Sequence, residues 1–192
     1  MDPRSPFVLS THELGRQPGA MRKVARSITA PDDLSTPVIG VEAGSPIELD
    51  LRLEAVQEGV LVSGDVTVQT RAECVRCLRE VEETRTVELS ELYFYPGARQ
   101  EAIDEGDEEA EDMVELEGEL LDLEPVLRDA VVTALPLHPL CEPDCQGLCP
   151  GCGERMADLP ADHEHVQIDP RWAALAGLAS GEQDPDDDSE DS

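Results

Sequence analysis

Eight residues of this chain have the type and spacing to do chemistry together. Cys74 and Cys77 stand in "CVRC". Cys141, Cys145, Cys149 and Cys152 follow in "CEPDCQGLCPGCG", and His163 and His165 close the set in "ADHEH". The six cysteines are all the chain has. A tetrahedral zinc site takes four ligands, chiefly Cys thiolate and His nitrogen, and a C-x-x-C turn lets two thiolates of one tight loop converge on a single ion. Cys74/Cys77 and Cys149/Cys152 have that spacing, and Cys141/Cys145 falls within the accepted range of two to four intervening residues. Gly151 and Gly153 permit a sharp turn with the backbone close to the sulfurs.

Six Cys and two His are enough for two complete sites. Three divisions compete. Cys141, Cys145, Cys149 and Cys152 could share one ion, leaving Cys74/Cys77 to the histidines. The two C-x-x-C turns could pair with each other. Or Cys74, Cys77, Cys141 and Cys145 could hold one ion, while Cys149, Cys152, His163 and His165 hold the other. The third is preferred because it closes "CEPDC" onto the C-V-R-C turn and leaves a compact knuckle at the C-terminal end. A single-metal protein with solvated histidines also fits. Spacing alone does not decide among these.

A redox pair is the rival reading. Thioredoxin-type C-x-x-C motifs sit at a helix start after a strand in a βαβ context, and no such alternation occurs here. A catalytic zinc keeps an open position for water, whereas these ligands saturate two ions. Glu164 lies between the histidines, but without the H-E-x-x-H spacing of metalloproteases. No nucleophile elbow, phosphate loop or dinucleotide fingerprint is present. The expectation is a protein that is not an enzyme, with no catalytic residues and with one or two structural Zn2+ ions as cofactor. His138, between two prolines, reads as a loop residue, and His12 is assigned no role.

The elements that must position these ligands are mostly strands. "PIELDLRLEAV" alternates Ile47, Leu49, Leu51 and Leu53 with charged residues, the mark of a half-buried strand. "QEG" reads as a turn. "VLVSGDVTVQTRAEC" is a second strand running into Cys74, and "VEETRTVELSELYFYP" a third that stops at Pro96. The three predict an antiparallel meander with "CVRC" at a hairpin tip. From residue 120 to 135 the period changes: Leu123, Val126, Leu127, Ala130, Val131, Ala134 and Leu135 share one helical face. Its role is core packing, with Asp122 as N-cap. Pro136 and Pro139 end it before Cys141. "DPRWAALAGLAS" predicts a short helix with Trp172, Leu175 and Leu178 on one side. The expected fold is α+β: an antiparallel sheet curled toward a small barrel, one long helix and a zinc-knuckle C-terminal part.

Charge sets further bounds. The net charge is −30 over 192 residues. Ten carboxylates and no Lys or Arg lie between Glu101 and Glu117, and seven more in "GEQDPDDDSEDS" from Gly181 to Ser192. Such runs repel themselves and predict a disordered acidic insertion at 98–117 and a disordered tail at 181–192, solvated and burying nothing. Residues 1–35 are locally basic and lack a sustained period, which predicts an N-terminal arm ahead of a domain at 36–180. The acidic body repels phosphate, so DNA is excluded as a partner and a positively charged protein is favoured, with precursor RNA reached through the arm as the alternative. No apolar run approaches the roughly 18 residues of a membrane span, and the first residues lack the apolar centre of a signal peptide. Together with the reduced-thiol pattern these predict a cytoplasmic protein.

"AECVRCLREVE", "LRDAVVTALPLHPLCEPDCQGLCPGCG" and "IDPRWAALAGL", in this order, resemble the YceD family, bacterial and plastid proteins linked to accumulation of large-subunit ribosomal RNA. The resemblance covers roughly residues 35–180. Zinc-bearing members have a further C-x-C where this chain has His163 and His165, a mild change because imidazole replaces thiolate on zinc. Other members lack part of the C-terminal cysteine set, which implies that Cys74/Cys77 with the Cys141 region is the basic site. The resemblance implies a role in ribosomal RNA processing or large-subunit assembly, by binding a ribosomal protein or precursor ribosomal RNA; a metal-dependent or redox enzyme of RNA metabolism is the alternative.

Overall fold

The computed structural model describes residues 2–165. Two compact units divide the chain, Met1–Cys145 and Gln146–Ser192. The first is built on β4 (Pro46–Ala55), β5 (Gly59–Glu73) and β6 (Glu80–Phe94), each antiparallel to the next. Alternation in β4 does what its pattern dictates: Ile47, Leu49, Leu51 and Leu53 are buried and the charged residues between them face outward. On β5 the same face carries Val60, Val62, Val66 and Val68, all buried. Gly64 lies directly opposite Leu51 of β4; a Cβ there would overlap the Asp50 carbonyl, and its φ of 146° is one that side chains rarely adopt.

Around these three strands the order is β2 (Met21–Thr29), β4, β5, β6 and β7 (Val114–Glu115), with β3 (Ile39–Val41) beside the far end of β5. The edge strand β2 (Met21–Thr29) runs antiparallel to β4 along its whole length. Part of what was expected to be an N-terminal arm is therefore sheet. Its basic residues pin the chain: Arg22 donates to the Ser10 carbonyl at 3.0 Å, Arg26 donates to that of Pro6, and Arg16 lies over the Tyr95 ring. A separate two-stranded sheet joins β1 (Val8–Ser10) to β8 (Leu120–Asp122). Phe7, Leu9, Leu121 and Leu123 enter the same core as the inner face of the large sheet.

Three expectations about the fold are overturned. Strand makes up 39% of the residues, the described residues hold two short α-helices, and the sheets do not close, so the fold is mostly β rather than α+β with a barrel. The expected long helix is α2 (Glu124–Ala134), of 11 residues. β1 claims Leu120–Asp122 as a strand partner, which costs the helix its first turn. Asp122 still accepts the Glu124 N–H at 3.0 Å, and Leu123, Leu127, Val131 and Leu135 are buried as the periodicity requires. The acidic insertion is also ordered. It holds α1 (Ala98–Glu105), a 3₁₀ turn at Ala110–Asp112 and β7 (Val114–Glu115), which pairs parallel with β6. One carboxylate organises its start: Glu115 Oε1 accepts the N–H groups of Gly97 and Arg99, both at 2.9 Å, where helix N–H groups lack internal partners. The helix expected around Trp172, Leu175 and Leu178 and the acidic tail at 181–192 lie outside the described residues. No helix among the described residues is long and apolar enough to cross a membrane.

Candidate metal centres

The β5–β6 hairpin ends on the pair Glu73 and Glu80, and the "CVRC" turn is its tip. Cys74 N–H donates to the Arg79 carbonyl at 2.8 Å, and Leu78 N–H donates to the Cys74 carbonyl at 2.9 Å. These two bonds fold the turn so that both sulfurs point the same way. The partner cysteines arrive from α2. Leu135, at its end, packs with Ile39 and Ala72 and against Val81. The loop then passes the tip, where Val75 N–H donates to the Pro139 carbonyl at 3.0 Å and Arg76 Nη1 to the Cys145 carbonyl at 2.8 Å. Arg76, between the two cysteines of the turn, thus ties it to the other pair through the backbone.

The result is one cluster. The sulfurs of Cys74, Cys77, Cys141 and Cys145 all lie within 4.8 Å of one another, Cys74 to Cys145 at 3.7 Å and Cys77 to Cys141 at 3.6 Å. Thiolates at about 2.3 Å from a tetrahedral ion stand about 3.8 Å apart, so the spacing is that of a four-thiolate metal site. Burial acts to raise the Cys74 thiol. The backbone N–H groups of Cys141, Cys77 and Arg76, with a further bond from the Cys77 thiol, outweigh it and hold Cys74 at about 6. Cys141 is pushed up to about 12 by burial and by the surrounding thiols. Four thiols this close cannot all ionise without a cation, and a divalent ion removes that conflict.

A second cluster lies in the other unit. Cys149, Cys152, His163 and His165 place their ligand atoms within 4.8 Å of one another, with Cys152 Sγ 3.5 Å from His163 Nε2. The two imidazoles meet edge to face, 4.6 Å between centroids. Its turn repeats the first: Cys149 N–H donates to the Glu154 carbonyl at 2.7 Å, and Gly153 N–H to the Cys149 carbonyl at 2.8 Å. The Cys149 thiol is held below its usual value by the N–H groups of Cys152 and Gly151 against the opposing effect of burial. All eight residues proposed from sequence fall into these two groups of four. Either group could hold a metal ion. His138 joins neither; it lines a small cavity with Ile39, Val81, Pro139 and Leu140.

The residue after each C-x-x-C takes a left-handed conformation, φ 77° at Gly153 and 57° at Leu78. Sequence reasoning marks Gly153 for such a turn and passes over Leu78, although the spacing from its C-x-x-C is the same. It also passes over Arg76, because the variable positions of a C-x-x-C carry no ligand signal. Leu78 is 54% exposed, so its side chain contributes little packing, while the left-handed region costs a side chain about 1–2 kcal/mol. Leu78→Gly is expected to stabilise the fold by about 0.5 kcal/mol, once the larger entropy of glycine in the unfolded chain is offset. Chemical denaturation checks it; a clear loss of stability would show that the leucine side chain holds the tip.

Comparison with known proteins decides the family. Residues 62–179 match the family model described as "Large ribosomal RNA subunit accumulation protein YceD". The chain belongs to the YceD family. Among its relatives, an uncharacterized protein of Mycobacterium tuberculosis is 43% identical over 180 residues, covering 94% of this chain and 84% of its own. One of Mycobacterium leprae is 40% identical over 174 residues, covering 91% and 78%. No solved structure matches the chain. The YceD match takes in the whole of both ligand groups, all of β6 and most of β5, but not β2 or β4.

Proposed function

We propose that this chain is a zinc-carrying binding factor in the accumulation of large-subunit ribosomal RNA, acting without catalysis by engaging a basic ribosomal protein during subunit assembly. The observation that carries the reading is the completeness of both ligand groups. Each supplies four donors, the number a structural zinc needs, with no position left for a reacting water. Zinc is favoured over other ions by the donor set, four thiolates in one group and two thiolates with two imidazoles in the other. YceD membership supports the ribosomal setting. Charge supports a protein partner over RNA: with a net charge of −30 the surface repels phosphate.

The test is a pull-down with the zinc-loaded chain from a lysate of its own source, at low and moderate salt, before and after nuclease. The expected result is one or a few defined large-subunit proteins retained after nuclease treatment and weakened by salt. Retention of RNA alone, lost with nuclease, would replace the protein partner by RNA. Turnover of an RNA substrate by the loaded protein would replace binding by catalysis.

A further inference from the structure

The two ligand groups differ in how much of them water reaches. In the four-thiolate group Cys74, Cys77 and Cys145 are buried and Cys141 is half-buried. In the group of the second unit only Cys149 is buried; Cys152 and His165 are exposed and His163 is half-buried. The turns differ in the same sense. On either side of its second cysteine the first turn has Arg76, tied to the Cys145 carbonyl at 2.8 Å, and Leu78. The second turn has Gly151 and Gly153 at those positions, so Cys152 stands between two residues of the widest backbone freedom. Both thiols of the second group also come from this one turn. The sulfurs of Cys149 and Cys152 lie within 4.8 Å of each other, and a disulfide brings sulfurs to about 2.05 Å, a closure that redox-active C-x-x-C turns make. In the four-thiolate group the close sulfur pairs run instead between two stretches of chain, Cys74 to Cys145 at 3.7 Å and Cys77 to Cys141 at 3.6 Å.

Oxidation of a cysteine follows its thiolate character and its exposure, and a metal-ligating cysteine is a thiolate. We infer that Cys152 is a site of oxidation by hydroperoxides, and that the second group is an oxidation-sensitive zinc site which gives up its ion while the four-thiolate group keeps its own. The inference rests on the zinc reading above and adds which of the two ions is releasable. With hydrogen peroxide as oxidant, the Cys152 sulfur attacks one peroxide oxygen, the O–O bond breaks, and hydroxide leaves a sulfenic acid behind. The Cys149 thiolate then attacks the Cys152 sulfur; the S–S bond forms, the S–O bond breaks, and a second hydroxide departs. The two sulfurs together lose two electrons and the peroxide gains them. The disulfide takes two of the four donors, and His163 and His165 alone do not complete a tetrahedral site. Because structural zinc is coupled to folding, the knuckle of the second unit opens. The change is one event per chain, not turnover, and a thiol reductant reverses it.

The experiment uses the full zinc-loaded chain with a chromophoric chelator too weak to draw either ion from the untreated protein. Hydrogen peroxide is expected to release one Zn2+ per chain about tenfold faster than the other. Peptide mass mapping at that point is expected to show Cys149 joined to Cys152, with Cys74, Cys77, Cys141 and Cys145 still reduced. A sulfenic-acid trap added with the peroxide is expected to mark Cys152. A thiol reductant with added Zn2+ is expected to restore the lost ion. Cys152→His keeps four donors, because imidazole replaces thiolate on zinc, but removes the pair of thiols; its second ion is expected to leave about tenfold more slowly under peroxide. Release of both wild-type ions at one rate, earlier loss of the four-thiolate ion, a first disulfide elsewhere, or release from Cys152→His as fast as from the wild type would overturn the inference. A chain that carries two ions and keeps both under peroxide would overturn it and leave the zinc reading standing. A chain that never carries a second ion would overturn that reading, and the oxidation-sensitive site with it.

Discussion

Cys74→Ser and Cys141→Ser are each expected to remove the same single zinc ion and leave the other bound. Residues 67 positions apart in sequence share one cluster of sulfurs, each within 4.8 Å of the rest. An ion held there would fasten the β5–β6 tip to the segment that follows α2. With three ligands left, the remaining thiols revert to the conflict described above, and the ordering they imposed on two separate stretches of chain is lost together. Structural zinc binding is coupled to folding, so a fall in melting temperature of about 10 °C is expected for either variant. The Cys74→Ser/Cys141→Ser pair is expected to be scarcely worse than either single change, because residues that act through one shared interaction are non-additive. Cys149→Ser should remove the other ion and leave the first in place. Metal stoichiometry on the singles and the double, with thermal melts in parallel, checks all of this. If Cys74→Ser and Cys149→Ser lost a common ion that Cys141→Ser kept, the grouping of ligands would be wrong.

How much of the fold and the site is legible in the sequence depends on how local each feature is. β4, β5 and β6 read directly from alternation, because one face is apolar and the other is not. The tip at Cys74 and Cys77 followed from their meander. β2 did not read, for a physical reason: its inward positions include Arg22 and Arg26, which reach carbonyls of the N-terminal segment instead of the core. Two cations on the buried side erase the apolar alternation. β1 and β8 pair residues 8–10 with 120–122, a contact no window of sequence contains, and that pairing also shortened the helix. The acidic insertion is not legible from its charge density, which implies self-repulsion, whereas Glu115 caps α1 and Ala110 is buried. The ligands themselves were legible as types and spacings, and their division needed the fold, since the second cysteine pair could have turned to either partner.

Gly151→Ala is expected to weaken the ion held by Cys149, Cys152, His163 and His165 by about ten- to a hundredfold, the range found when the support of a metal ligand is disturbed. Both glycines of "CPGCG" look alike in sequence, but the structure separates their roles. Gly153 has a positive φ of 77° and open space where a Cβ would go. Gly151 needs no unusual φ; its Cβ would overlap the imidazole of His165. A methyl group there must push the ring from the ion or open the turn that aims Cys149 and Cys152. Gly153→Ala instead strains the backbone by about 1 kcal/mol and touches no ligand, so its ion should be held nearly as well as in the wild type. Competition with a chromophoric chelator measures both variants. Release should occur in two steps, with only the weaker step shifted in Gly151→Ala and the four-thiolate ion unchanged. A Gly153→Ala chain that lost the ion while Gly151→Ala kept it would mean that turn conformation, and not the close approach of His165, limits the second centre. Loss of both ions from Gly151→Ala would mean that the two centres do not bind independently, and the assignment of each zinc to its own four ligands would fail with it.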